Sequence, residues 1–174
     1  EEVEAATILP LRDISGRTTH YVAIKEIITE RRRQEEQLTK LFLAVEQSPE
    51  SIAITDLDAR VEYVNAAFLR NTGYSRDEVI GQNPRVLQSG RTPVEVYEEM
   101  WATLLRGEPW KGELINRRKD GSEYIEIAHI APVRQADGTV THYLAIKEDI
   151  TEKKRMAEEL FSHRAHLERL VQER

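Results

Sequence analysis

The chain has 174 residues, of which 40% are hydrophobic and 32% are charged, and its formal net charge is −6. This composition is typical of a globular protein with solvated helices and excludes a disordered chain, while the acidic balance argues against a nucleic-acid-binding surface. The chain has no cysteine, so disulfides, cysteine-ligated metals and thiol nucleophiles are excluded.

Targeting and catalytic signals are missing from the sequence as well. No apolar run approaches the roughly 18 residues that a membrane-spanning helix needs, and no secretory signal is present. We therefore expect a cytoplasmic segment with no membrane contact of its own, which leaves room for an anchor elsewhere in a parent protein. We also expect a segment that is not itself an enzyme and binds no metal, because no nucleophile–base pair, metal-ligand set or phosphate loop is recognisable.

One sequence pattern occurs twice in the chain. Residues 19–29 read THYVAIKEIIT and residues 141–151 read THYLAIKEDIT, an offset of 122 residues. This period is much longer than the roughly 20–50 residues of a solenoid repeat, so it indicates tandem domains. We expect residues 1–28 to be the C-terminal hairpin of a preceding domain, followed by a linker helix over 29–47. A complete domain over 48–150 and an exit helix over 151–174 would follow.

The first half of the chain alternates strand and helix signals. Residues 1–28 hold two β-rich runs split by a Gly-containing turn, which predicts an antiparallel hairpin. Residues 29–47 lack Gly and Pro and predict a helix that Ser48-Pro49 ends. Two short strands are expected next, at Ser51–Thr55 and Arg60–Asn65.

Short helices and then three strands complete the predicted domain. Gly73 is expected to end a first helix, and Ser75–Glu78 has the form of a capping box that opens a second. A third helical turn and a longer helix are predicted at Asn83–Gln88 and from Pro93 to Arg106. Strands are expected over 110–118, 123–134 and 140–150. This order predicts an α+β fold in which helices cover one face of a five-stranded antiparallel sheet.

The exit helix carries an apolar stripe with the 4-3-4-3 spacing of a coiled-coil seam. Its members are Met156, Leu160, His163, Leu167 and Leu170. The seam predicts a parallel homodimer through the linker helices, provided that the helix continues beyond Arg174.

Three segments together resemble a known family. TGYSRDEVIGQNPRVLQSG, ELINRRKDGSEYIEIAHIAPVR and HYLAIKEDITEKK are similar to a PAS domain with its C-terminal PAC segment. The resemblance covers about residues 44–155, and residues 1–33 resemble the end of a preceding PAS domain. It implies a PAS fold and a sensory module of a bacterial signalling protein. Such modules usually precede a histidine kinase or a diguanylate cyclase, and HRAHLERLVQER resembles a linker ahead of a kinase dimerisation domain.

The segment GQNPRVLQ is similar to the GxNCRFLQ motif of light-oxygen-voltage photoreceptors, the flavin-binding branch of this family. Asn83, Arg85, Leu87 and Gln88 match the motif. The position of the photoactive cysteine holds Pro84, which cannot form a flavin–thiol adduct. The resemblance therefore excludes that light chemistry here.

PAS domains of redox sensors that hold FAD without covalent chemistry offer a closer likeness. They share four segments with this chain, namely Ser89–Pro93, Trp101, Pro109–Gly112 and Asn116–Asp120. The resemblance implies FAD or FMN as a non-covalent cofactor.

The resemblance implies cofactor contacts for four residues, and three of them also have a second interpretation. Asn116 would bond the flavin pyrimidine edge through its amide, or it is a strand-end residue bonded to backbone. Trp101 would line a ring-sized pocket, or it belongs to the core. Arg85 would reach a phosphate or simply solvent, and Asn83 enters through the motif alone.

Two charged residues stand where the photoreceptor branch has amides. Glu126 replaces the second Asn, and Lys147 replaces the Gln near the reactive edge of the ring. Both lie on neighbouring predicted strands, so a cross-strand salt bridge is geometrically possible, and burial beside a ligand would couple their protonation to it. By resemblance, Asp149 ties the last strand to the exit helix while Thr151 caps that helix, which implies a role in signal relay.

Two functions follow as hypotheses. The first is a sensory module that responds to redox state or a small molecule through a bound flavin and biases a downstream kinase. The second is a ligand-free dimerisation and relay spacer in a kinase or a diguanylate cyclase, with its outer sheet face (Leu144, Ile146) against a linker helix or a partner chain.

Overall fold

A computed structural model describes residues 4–27 and 29–172. Two compact units can be distinguished, Glu1–Ala44 and Val45–Arg174. The first unit holds an antiparallel hairpin of strands β1 (Glu4–Arg12) and β2 (Thr18–Ile27). Helix α1 (Thr29–Glu46) follows the hairpin and ends in the second unit.

The second unit has the expected α+β architecture. Its elements are β3 (Ser51–Thr55), β4 (Val61–Val64), α2 (Ala66–Thr72), α3 (Arg76–Val79), a 3-10 helix (Pro84–Leu87), α4 (Val94–Leu105), β5 (Trp110–Arg117), β6 (Glu123–Arg134), β7 (Val140–Asp149) and α5 (Thr151–Gln172). The strands form one sheet in the order β4-β3-β7-β6-β5, and every neighbouring pair is antiparallel. The prediction of a five-stranded antiparallel sheet with helices is therefore confirmed.

Local signals place the helix boundaries close to the predicted positions. Gly73 ends α2 in the left-handed conformation with φ 78°, which glycine adopts without steric cost. The Glu78 side chain accepts a hydrogen bond from the backbone N–H of Ser75 at 2.9 Å, the bond expected of a capping box.

The helices and the sheet enclose two apolar clusters. One gathers around Val64, Phe68 and Leu87, and the other around Met100, Leu104 and Trp110. Ile130 packs against both clusters. The two clusters do not close completely on each other, and the space between them is the cavity described below.

The exit helix α5 is exposed along its predicted seam. Met156, Leu160 and Leu167 are 59%, 73% and 61% exposed, and the side chain of Leu170 lies outside the described residues. The apolar stripe has no covering layer within the part of the chain that the structure describes.

Asn65 joins three backbone segments in the core and is fully buried. Its side-chain oxygen accepts hydrogen bonds from Ile52 N (2.9 Å) and Phe68 N (3.0 Å). Its amide donates to the carbonyl oxygens of Val45 (3.0 Å) and Glu50 (2.9 Å). One side chain thus satisfies four backbone groups, which are costly to leave unpaired once buried.

We expect Asn65→Ala to lower the free energy of unfolding by about 2–5 kcal/mol, because several buried backbone groups lose their partner at about 1–3 kcal/mol each, partly recovered by relaxation. Urea unfolding followed by circular dichroism measures the change. Asn71→Ala is the control, since Asn71 makes one half-buried bond to Ser51 Oγ, and it should cost about 1 kcal/mol or less. Equal losses in both variants would contradict the role given to Asn65.

Candidate ligand-binding site

A cavity of about 140 Å³ lies between the helices and the inner face of the sheet. Its walls are largely apolar, and its lining includes Phe68, Met100, Leu104, Leu114, Ile130, Tyr143 and Ala145. An engineered cavity of about 150 Å³ in another protein accommodates benzene. The cavity is thus wide enough for one aromatic ring, and a larger ring system requires movement of a lining side chain.

The polar wall of the cavity is built on the sheet. Lys147 Nζ lies 2.7 Å from Glu126 Oε1, and these side chains are only 9% and 3% exposed. Asn116 Nδ2 donates to the same carboxylate oxygen at 2.8 Å. The expected salt bridge therefore exists, and it is buried rather than solvated.

Strand register explains why these three side chains meet. Glu126 lies opposite Leu114 on β5 and opposite Asp149 on β7. Asn116 and Lys147 are each two residues from those partners, so both are diagonal neighbours of Glu126 on the same face.

The structure separates the predicted site residues into two layers. Asn83, Arg85, Trp101, Asn116 and Lys147 line the cavity. Glu126 does not line it, because its carboxylate lies behind Lys147 and Asn116. Asn116 is the penultimate residue of β5 and is only 3% exposed, and its amide bonds the Glu126 carboxylate instead of a backbone group near the following turn.

The cavity opens past the 3-10 helix and α4. Asn83 accepts a hydrogen bond from Arg85 N at 3.0 Å and begins this helix, and Pro84 follows it at the first helical position. Trp101 stands at the same opening and packs edge-on against Tyr143, with ring centroids 5.8 Å apart. Asn83, Arg85 and Trp101 also line an outer groove beside the cavity.

Tyr97 is a lining residue that the sequence analysis missed. Its hydroxyl is buried and finds no hydrogen-bond partner among the described residues. A buried polar group without a partner is uncommon and suggests a missing ligand or water. The available signal was its spacing, because Tyr97 precedes Trp101 by four residues on α4 and shares its face.

Beyond Lys147, strand β7 reaches a second polar junction. Asp149 accepts hydrogen bonds from Thr151 N (2.9 Å) and Thr151 Oγ1 (2.6 Å) at the start of α5. Asp149 Oδ2 also lies 2.6 Å from Arg118 Nη2. Burial alone would raise the pKa of Asp149, but the hydrogen bonds from Arg118 and Thr151 outweigh it and hold that pKa below its ordinary value.

Arg118 connects this junction to the rest of the sheet, and sequence reasoning did not single it out. Its guanidinium lies 4.3 Å from the ring centroid of Tyr124 and also bonds the carbonyl oxygen of Asn71. Burial, followed by the charge of Glu126, raises the pKa of Tyr124 above its ordinary value. The Tyr124 side chain is therefore uncharged and packs beside the Arg118 guanidinium.

Within residues 4–27 and 29–172, no group of three or more His, Asp or Glu side chains is placed to hold a metal ion. No helix in those ranges is long and apolar enough to cross a membrane.

The fold is an α+β module with a cavity between its helices and its sheet, and comparison with known proteins identifies the family. Residues 49–152 match the PAS domain family, so this chain belongs to it. PAS domains serve as sensory modules of signalling proteins. The chain is 43% identical over 130 residues to a nitrogen fixation regulatory protein of Klebsiella oxytoca, covering 75% of this chain and 26% of that protein.

Two other relatives are informative. A blue-light-activated histidine kinase of Erythrobacter litoralis is 36% identical over 118 residues, which cover 66% of this chain and 33% of the kinase. The solved structure titled "Flavin Analogue Sheds Light on Light-Oxygen-Voltage Domain Mechanism" is 30% identical with a TM-score of 0.61, covering 72% of this chain and 96% of that one. This chain therefore spans between a quarter and a third of the length of these curated relatives.

We expect Lys147→Met to lower the free energy of unfolding by about 3–5 kcal/mol, because it leaves the buried Glu126 carboxylate without its cation. The double variant Glu126→Gln/Lys147→Met should lose less than the two single losses added together. Urea unfolding of the four proteins measures this coupling.

The exposed pair Lys154–Glu113 on the same unit is the matched control. Lys154→Met should cost about 0–1 kcal/mol, as is usual for solvated ion pairs. If the losses in the free energy of unfolding at Glu126 and Lys147 were additive, the two residues would not be coupled through a buried ion pair.

Proposed function

We propose that the Val45–Arg174 unit is a redox-responsive sensory module that holds a flavin, FAD or FMN, without a covalent bond. The observation that carries this proposal is the two-sided cavity, apolar on its walls and polar at its inner end. Apolar walls suit the faces of a flat ring, and the Asn116 amide and Lys147 ammonium suit an edge that carries donors and acceptors. The light-oxygen-voltage relative supports this ligand class.

The residues of the cavity have distinct roles in this proposal. Asn116 and Lys147 would orient the ring edge, and Tyr97 would gain a partner for its buried hydroxyl. Arg85 at the opening would meet a phosphate of the cofactor tail. Trp101 would move to admit the wider ring system, because the cavity now holds about 140 Å³. When bound, the flavin would supply electron-transfer chemistry.

Signal relay would begin at the ion pair. Lys147 Nζ would shift from Glu126 towards the ring edge when that edge gains negative charge, because Coulomb attraction between opposite charges is strong in the poorly solvated interior. Lys147 and Asp149 are two residues apart on β7, and Asp149 holds the start of α5. A shift of β7 would therefore reach α5 through bonds that already exist, which is a two-state element of the kind that switches use.

The output would be a dimeric partner domain in the parent protein, a histidine kinase or a diguanylate cyclase. The exposed stripe of α5 (Met156, Leu160, Leu167) supports pairing of two copies through this helix. The histidine-kinase relative supports the first kind of output. The module itself would act by conformational change and not by catalysis, in the cytoplasm.

One observation favours a second function, namely an apolar groove on the outer face of the sheet. Leu144 and Ile146 line a groove there with Pro109 and Trp110. A ligand-free spacer would use this face to pair with a partner chain and would pass strain along α5 without a cofactor.

The absorption spectrum of the purified chain distinguishes the two functions, with mass spectrometry of the released ligand. We expect the visible absorption of an oxidised flavin. Asn116→Ala should weaken flavin binding about tenfold, which corresponds to the roughly 1.4 kcal/mol of one buried hydrogen bond.

Asn71→Ala is the control, because Asn71 does not line the cavity. Arg85→Ala tests the site independently if Asn116→Ala unfolds, and it should also weaken binding, because Arg85 would meet a phosphate of the cofactor tail. A colourless protein that takes up neither added FAD nor added FMN would contradict the flavin proposal and favour the spacer.

A further inference from the structure

The hairpin of the first unit repeats the β6–β7 hairpin in its pairing as well as in its sequence. Pro10 pairs with Tyr21, and Pro132 pairs with Tyr143, 122 residues further on. Both ladders shift register at the same place, immediately before Arg12 and before Arg134. The two hairpins are therefore equivalent position by position.

Identity between the two hairpins is concentrated on one face. In β6–β7, seven consecutive helix-facing positions run from the register shift to the ion pair: Glu126, Ala128, Ile130, Pro132, Tyr143, Ala145 and Lys147. The equivalent seven residues are identical: Glu4, Ala6, Ile8, Pro10, Tyr21, Ala23 and Lys25. Of the eight intervening positions, only His20, Ile24 and Glu26 match their counterparts.

The ion pair of the cavity recurs in the first hairpin. Lys25 Nζ lies 3.1 Å from Glu4 Oε2, as Lys147 lies beside Glu126. These side chains are 62% and 43% exposed, and a solvated pair contributes only about 0–1 kcal/mol. Stability of the hairpin therefore does not explain why both charges recur together.

The apolar members of the same row are exposed as well. Ile8 is 62% exposed and Tyr21 is 70% exposed, whereas Tyr143 is 7% exposed under the helices of the complete domain. This row has the composition of a cavity wall and no cover within the described residues.

We propose that Glu4–Ile27 is the wall of a second ligand cavity of the same chemical class, completed by a helical layer that the parent protein supplies. The inference rests on the flavin proposed above, since the lysine of the same Glu–Lys pair would meet the same ring edge. The two hairpins differ at the position that connects the second strand to the next helix, because Ile27 occupies the position of Asp149, which links β7 to α5. The second cavity would therefore bind the same ligand and pass its signal through a different junction.

A graft tests the wall within this chain. Residues 126–147 are replaced by residues 4–25, which have the same length, while Asp149 stays in place. We expect the graft to bind FAD or FMN within about threefold of the unaltered chain, and Lys→Met at the grafted Lys25 position to weaken binding as much as Lys147→Met does. A graft that folds by circular dichroism but loses the flavin that the unaltered chain binds would overturn the inference.

The full-length parent protein tests the second site directly. It should carry two flavins per chain, and Lys25→Met or Lys147→Met alone should leave one. A single flavin that Lys147→Met removes completely would overturn the second cavity while leaving the first intact.

A protein without any flavin would instead defeat the function proposed for the complete domain. The equivalence of the two hairpins is then tested by urea unfolding. Lys→Met in the graft should lower the urea midpoint as much as Lys147→Met does in the unaltered domain, and an unchanged midpoint would overturn the equivalence.

Discussion

The buried ion pair between Lys147 and Glu126 is the interaction on which the rest of this molecule depends. Burial of two charges costs several kcal/mol for each ion, and only good geometry with further hydrogen bonds offsets that cost. Here the geometry comes from the antiparallel register of β5, β6 and β7, which sets Asn116 beside the same carboxylate. A hydrophobic pair of similar size would often be at least as stable. The ligand contact proposed for Lys147 would account for these charges.

The position of this ion pair connects the cavity with the exit helix α5. Lys147 faces the cavity, and two residues later on the same strand Asp149 holds the first turn of α5 through Thr151. Arg118 secures that junction against α2 by its bond to the Asn71 carbonyl oxygen. A ligand that changes the environment of Lys147 therefore acts on a strand whose end is hydrogen-bonded to the outgoing helix.

Sequence reasoning predicted the fold well because its signals are local. The strand pattern, Gly73, and the capping box at Ser75–Glu78 each depend on neighbours within a few residues. The family resemblance named Asn116 and Lys147 before their surroundings were visible. It could not place Glu126 behind Lys147, nor join Arg118 to Asp149, because those contacts depend on register between strands. The unpartnered hydroxyl of Tyr97 likewise becomes visible only when α4 lies over the sheet.

Hydrogen exchange at the start of α5 tests the central idea, that the ion pair couples the cavity to the exit helix. The measurement compares the amides of residues 151–154 in the flavin-loaded protein, oxidised and chemically reduced, for the unaltered chain and for Glu126→Gln, which breaks the ion pair without changing a residue that lines the cavity. Reduction should change the exchange of these amides in the unaltered chain and leave it unchanged in the variant. Identical exchange in both redox states of the unaltered chain, or an equal change in the variant, would contradict the account.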